Sequence, residues 1–283
     1  MSGEAFEIRT MDGDDLETAM AWAAAEGWNP GLHDAETYYT ADPRGFFMGC
    51  LGDEPVATVS AVRYSPSFGF LGMYIVKPEY RGRGYGIRIW NAAIDYLSGC
   101  NIALDGVVEQ QENYRKSGFE SAGSNVRYAG EGDGRGFSSP LVSDLARIPF
   151  ESLSRYLHPF FPEDRSEFYR AWFSQADASF LGIIDDGELC ACGVMRACRE
   201  GHKIGPLFAN SPMHAETLFR ALRARVPPAV PLFLDVPAAN PEAEAMARRF
   251  AMQVSFETAR MYTGRAPDLP WSRTFGLTSF EIG

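Results

Sequence analysis

Two stretches far apart in the chain read alike: FMGCLGDEPVATV over residues 47–59 and FLGIIDDGELCAC over residues 180–192. Each is an apolar run, an acidic turn and a second apolar run, the pattern of two strands joined by a hairpin. Self-similarity at long spacing signals one structural plan used twice. The rest of the chain keeps the correspondence. Val76-Lys77-Pro78 precedes a loop and a helix, and Ile204-Gly205-Pro206 precedes the loop 207–213 and a helix from His214 to Arg225. Leu104-Asp105 corresponds to Leu234-Asp235, each ahead of a short helix. A length of 283 residues suits two domains of ordinary size. We place them at 1–130 and 140–283, joined by the glycine-rich polar run AGEGDGRGFSS over 129–139.

The first half reads as a strand (Phe6–Met11), a helix (Leu16–Gly27) capped by Asp14 and Asp15, and a helix around Ala35–Tyr39. Strands follow at Phe46–Leu51, Val56–Tyr64 and Phe68–Val76, then a helix from Ile87 to Ser98. A strand (Ile102–Val108), a helix (Gln110–Lys116) and a last strand complete it. That order specifies an α/β (α+β) layer with a mixed sheet.

The strongest local signal is VKPEYRGRGYG, residues 76–86, between a strand and a helix. Gly82, Gly84 and Gly86 let backbone N–H groups approach an anion without Cβ obstruction. The helix dipole favours negative charge there, and Arg81 and Arg83 add donors suited to phosphate oxygens. A pyrophosphate is the natural occupant. The spacing is neither the dinucleotide fingerprint G-x-G-x-x-G on a first strand nor a P-loop, because Gly86 is followed by Ile87-Arg88.

The segment resembles motif A of the GNAT (GCN5-related N-acetyltransferase) superfamily, R-x-x-G-x-G/A after a strand ending V-x-P. Arg81, Gly84 and Gly86 fill it, with Val76 and Pro78 at the strand end. The resemblance extends in element order over residues 5–128. It implies tandem GNAT-like domains, each a mixed, mostly antiparallel sheet flanked by helices. It also implies acetyl-CoA as co-substrate. The pyrophosphate would lie on main-chain N–H groups of residues 81–87, including Tyr85 and Ile87, with the pantetheine arm beside Ile75 and Val76.

Residues 113–119, NYRKSGF, are similar to the family's second CoA motif, Y-x-x-x-G-F. Tyr114 then takes the place of the phenol that protonates the departing thiolate. An Asn common seven residues earlier in the family is Val107 here, and Gln110 or Asn113 is expected to replace that contact. Glu26, Asp105 and Glu109 remain open as candidate bases, with Asp105 read first as a carboxylate bonded to local backbone. Trp28, in the turn Trp28-Asn29-Pro30-Gly31, is expected with Asn29 at the acceptor pocket.

In the second half the corresponding loop, 207–213, has neither glycine nor arginine, and Ala247 stands where the tyrosine would be. We therefore read residues 140–283 as a degenerate GNAT-like domain that buries part of the first or roofs its acceptor site. Its segment 258–262 resembles the last strand of two-domain bacterial relatives, with Arg260 expected in a surface ion pair.

A net charge of -11 argues against nucleic acid as partner and mildly favours an amine-bearing acceptor. The start MSGEAFEIRT is no signal peptide, and no run approaches the ~20 apolar residues of a membrane helix. A cytoplasmic protein without membrane contact is expected. Five cysteines without a CxxC pair suggest no metal site. The expected activity is acetyl-CoA-dependent N-acetyl transfer to a primary amine of a small molecule or peptide. The alternative is an acyl-CoA-binding sensor without turnover, and a homodimer is left open.

Overall fold

The central strands are almost continuously apolar, and because successive side chains point to opposite faces, both faces of the sheet carry a core. A computed structural model describes residues 5–283. The first half runs β1 (Phe6–Thr10), α1 (Gly13–Ala25), α2 (Asp34–Ala41), β2 (Phe46–Leu51), β3 (Glu54–Arg63), β4 (Phe68–Val76), α3 (Tyr85–Tyr96), β5 (Asn101–Val107), α4 (Gln111–Lys116) and β6 (Glu120–Glu131). The second runs β7 (Val142–Asp144), α5 (Phe150–Leu157), α6 (Ser166–Trp172), β8 (Ala178–Asp185), β9 (Glu188–Ala197), β10 (His202–Ala209), α7 (Pro212–Arg223), β11 (Pro231–Pro237), α8 (Pro241–Arg249), β12 (Gln253–Tyr262) and β13 (Thr274–Gly276). The two strand–acidic turn–strand units recur as β2–β3 and β8–β9.

Local details depart from the sequence reading in three places. Helix α1 is capped by Asp12, whose carboxylate accepts from the Asp15 N–H while Asp15 accepts in return from the Asp12 N–H. Residues 129–131 are strand rather than linker. The segment read as a loop after Pro206 continues as strand to Ala209.

All strands join one sheet in the order β1-β2-β3-β4-β5-β12-β6-β11-β10-β9-β8-β7, with β13 beside β10. Among the named strands of the described residues, β4–β5 and β10–β11 pair in parallel and the others antiparallel. The halves exchange strands: β12 enters the gap between β5 and β6, and β6 lies between β12 and β11. In β2, Met48 and Cys50 share a core with α1, α2, α5 and α6, while Phe47 and Leu51 pack with α3 on the other face. In β9, Cys192 and Val194 join that shared core and Ala191 and Met195 pack with α7 and α8. One apolar layer thus spans both halves.

Candidate active site

The site begins where β4 and β5 part. They pair only from Phe68–Leu71 against Asn101–Leu104. Beyond that point β5 keeps only its other neighbour, β12, with Asp105, Gly106 and Val107 opposite Arg260, Ala259 and Thr258. A bulge accompanies the divergence. Ser60 faces Gly72 and Thr58 faces Ile75, so Met73 and Tyr74 oppose a single residue of β3, with Met73 at φ +46°. Peptide groups of β4 from Gly72 to Val76 therefore face a wedge rather than a β5 ladder.

At the mouth of that wedge, Gly82 and Gly84 adopt φ of +76° and +85°, left-handed geometry that a side chain disfavours. Gly84 is the N-cap of α3 and supplies no side-chain cap. The first-turn N–H groups of α3 thus receive no side-chain cap among the described residues, and the helix dipole adds positive potential there.

The wedge opens into a cavity of about 640 Å³. Of the residues expected from sequence, Ile75, Val76, Arg81, Gly82, Gly84, Gly86, Ile87, Tyr114, Trp28 and Asp105 line it, as do the candidate acids Glu26 and Glu109. Four others lie elsewhere. The Arg83 guanidinium sits over the Tyr80 ring at 5.3 Å. The Tyr85 ring stacks on Phe6 at 4.8 Å. Asn113 donates to Gln110 at 2.7 Å and accepts from Lys116 at 3.1 Å, leaving Gln110 as the one of that pair that lines the cavity. Asn29 donates to the Glu200 carbonyl and accepts from its N–H, both at 2.9 Å, tying the Trp28 turn to the second half.

Tyr114 is buried and stacks on Trp90 with ring centroids 5.6 Å apart. A Cβ on Gly106 would lie 2.2 Å from the Tyr114 ring, so that glycine makes room for it. Burial, with a smaller contribution from neighbouring Tyr74, pushes the Tyr114 hydroxyl up to about 12. It stays protonated across the physiological range. Arg81 is anchored rather than free, donating from Nε to the Val76 carbonyl at 2.8 Å and from Nη2 to Glu26 at 2.5 Å.

Arg260 departs from its expected surface ion pair. Its guanidinium is buried and donates to both Asp105 oxygens, at 2.6 and 2.5 Å, and Asn125 donates to the same carboxylate at 2.7 Å. Asp105 is thus bonded to side chains across the strand exchange, not to local backbone. Burial lifts the Asp105 carboxyl above its ordinary value, and Arg260 acts against that lift. Arg127 pairs with Asp235 at 2.6 and 2.8 Å deeper in the junction. Burial pushes Asp235 up, but Arg127 and Lys203 overcome it and hold the carboxyl below the usual range.

The sequence reading gave no site role to Arg127, Phe256, Thr258, Phe280 and Glu281, which also line the cavity. They come from β6, β12 and the tail after β13, and carry no motif. The one signal in the sequence was the resemblance of 258–262 to the last strand of two-domain relatives.

The second half has no equivalent opening. β10 and β11 pair from His202–Ile204 against Leu232–Leu234, and beyond that β13 occupies the wedge, with Leu207 and Phe208 facing Gly276 and Thr274. The start of α7 is also satisfied internally: Ser211 accepts from the His214 N–H, and Pro212 has no N–H to offer.

Comparison with known proteins agrees with this geometry twice over. Residues 13–119 match the acetyltransferase (GNAT) family and residues 155–276 match an acetyltransferase (GNAT) domain. The chain is a tandem GNAT protein. Its family is one of transferases that move acyl groups. It is 29% identical to holothin acyltransferase from Pseudoalteromonas sp. (strain SANK 73390) over 95% of this chain and 92% of that one. In fold it is similar to a putative acetyltransferase from Pyrococcus horikoshii, with TM-score 0.83 and 21% identity over 100% of this chain and 97% of that one. It also resembles a tandem GNAT protein from the clavulanic acid biosynthesis pathway, with TM-score 0.62 and 12% identity over 93% of this chain and 100% of that one. Among the described residues no helix is long and apolar enough to cross a membrane.

Proposed function

We propose that this tandem GNAT protein transfers an acetyl group from acetyl-CoA to a primary amine of a small molecule or peptide, using the first-half cavity alone. The observation that carries the reading is the uncapped start of α3 at Gly84 opening onto the same cavity as the buried, protonated Tyr114. Acyl-CoA would supply an electrophilic thioester. The N–H groups of the 81–87 loop would hold its diphosphate. The β4 edge from Gly72 to Val76 would line the pantetheine arm, and Tyr114 would give the departing sulfur a proton. Catalysis then rests on positioning plus that proton.

The cavity lining includes Trp28, Phe256 and Phe280 and carries Glu26, Glu109, Asp105 and Glu281 beside Arg81 and Arg127. Aromatic walls with an excess of carboxylates suit an amine on an apolar body. Holothin, named for the relative, is the first acceptor to try. The test is release of CoA from acetyl-CoA with holothin and a panel of primary amines such as benzylamine. Amine-dependent release supports transfer. Saturable acetyl-CoA binding without release would instead favour a sensor.

A further inference from the structure

Three carboxylates at the junction of the halves are each clamped by a guanidinium: Asp34 by Arg196 at 2.8 Å, Asp235 by Arg127 at 2.6 Å and Asp105 by Arg260 at 2.5 Å. A fourth, Glu281, is equally buried, at 4% exposure, and makes no ion pair among the described residues. Its Oε2 accepts from the Tyr38 hydroxyl at 2.9 Å and from Ser279 Oγ at 2.6 Å. Its Oε1 makes no hydrogen bond among the described residues, and the residue lines the cavity. Charged groups stand around it on every side. Asp105 lies on β5, Arg127 on β6 and Lys203 on β10, with the Tyr38 phenol on α2.

Its backbone is fixed as firmly as its side chain. A Cβ built on Gly72 would fall 1.9 Å from the Glu281 carbonyl oxygen, so the tail lies directly on β4 one residue before the bulge at Met73. Tyr64 donates to the next carbonyl, of Ile282, at 2.7 Å. The tail that fills the second-half wedge thus continues to the first-half cavity, whose lining includes Phe280 and Glu281.

We propose that Glu281 is the proton acceptor for the attacking amine, a catalytic group lent to the first-half site by the second half of the chain. The inference rests on the acyl-transfer reading above. As the nitrogen bonds to the acyl carbon, the proton it sheds passes to Glu281. The carbon–sulfur bond breaks with its electron pair on sulfur, and Tyr114 protonates the sulfur. Glu281 then gives up the proton it gained and the Tyr114 phenolate takes one back through the solvent-open cavity, so the exchange balances. Asp105 is a poorer acceptor because both its oxygens are committed to Arg260, and Glu26 because it is ion-paired through Oε1 with Arg81, whereas Glu281 has no cationic partner among the described residues.

Calorimetric uptake of acetyl-CoA by the unmodified chain is measured first and tests the underlying reading separately. CoA release with the fastest amine of the panel is then compared between the unmodified chain, Glu281→Gln and Glu281→Asp across pH, alongside acetyl-CoA affinity and melting midpoint. The expected result for Glu281→Gln is a fall in kcat of about 100-fold. Acetyl-CoA affinity and folding should be unchanged, and the rise of kcat on the acid side of the profile should be lost. Glu281→Asp should recover part of the rate and keep that rise. Should Glu281→Gln fail to fold, Ser279→Ala replaces it: a lower kcat at unchanged acetyl-CoA affinity supports the role, and an unchanged kcat overturns it. A Glu281→Gln rate within about threefold of the original overturns it. So do equal losses in both variants with the profile shape retained, or acetyl-CoA uptake without transfer to any amine.

Discussion

Arg260 of β12 stands directly across the ladder from Asp105 of β5, and its Nε and Nη2 reach the two carboxylate oxygens at 2.6 and 2.5 Å. The pair is buried where the halves exchange strands, so it joins residues 155 positions apart in sequence. Removing one partner strands the other's charge away from water. Arg260→Met is expected to cost about 3–5 kcal/mol. Adding Asp105→Leu to it should restore most of that loss, because no uncompensated charge remains. Urea unfolding of both single variants and the double variant measures this.

Tyr114→Phe keeps the ring that packs on Trp90 and removes only the proton. Its kcat is expected to fall about 100-fold while acetyl-CoA affinity stays within about twofold. Steady-state kinetics beside calorimetry separates the two effects.

Gly72→Ala places a methyl group on the Glu281 carbonyl. The tail must move, and backbone on backbone gives no flexible side chain to yield. Transfer is expected to fall at least as far as in Glu281→Gln, measured as CoA release with the same amine.

Alkaline stability follows from two buried phenols. Burial pushes both Tyr64 and Tyr114 up to about 12, while an unfolded tyrosine ionises near about 10. Below that unfolded value both states keep the proton and the stabilisation is complete. As pH rises from about 10 to 12 the unfolded chain sheds protons that the folded chain retains, so stability falls. Urea midpoints should drop over that window, and less steeply in Tyr64→Phe.

The legible parts of this molecule were those written in adjacent residues. Apolar runs around an acidic turn marked β2 and β3, glycines beside a helix start marked the anion loop, and Tyr114 lay in a short motif. The repeat was visible because β2–β3 and β8–β9 are local units. The strand exchange was not, since β6 and β12 choose their neighbours through long-range pairing that neither strand's own pattern encodes. Arg260 reads as a surface residue until Asp105 is known to lie opposite. The tail from Thr274 to Gly283 has almost no regular periodicity, yet it fills one wedge and furnishes Phe280 and Glu281 to the other.

That asymmetry between the wedges leads to the most direct measurement, titration of the chain with acetyl-CoA by calorimetry. The α3 start offers open N–H groups, and the α7 start is capped by Ser211 behind β13. One acetyl-CoA per chain is expected, with uptake lost in Gly84→Val, whose side chain cannot take φ +85° without strain. Two molecules per chain, none, or full uptake by Gly84→Val would contradict the account.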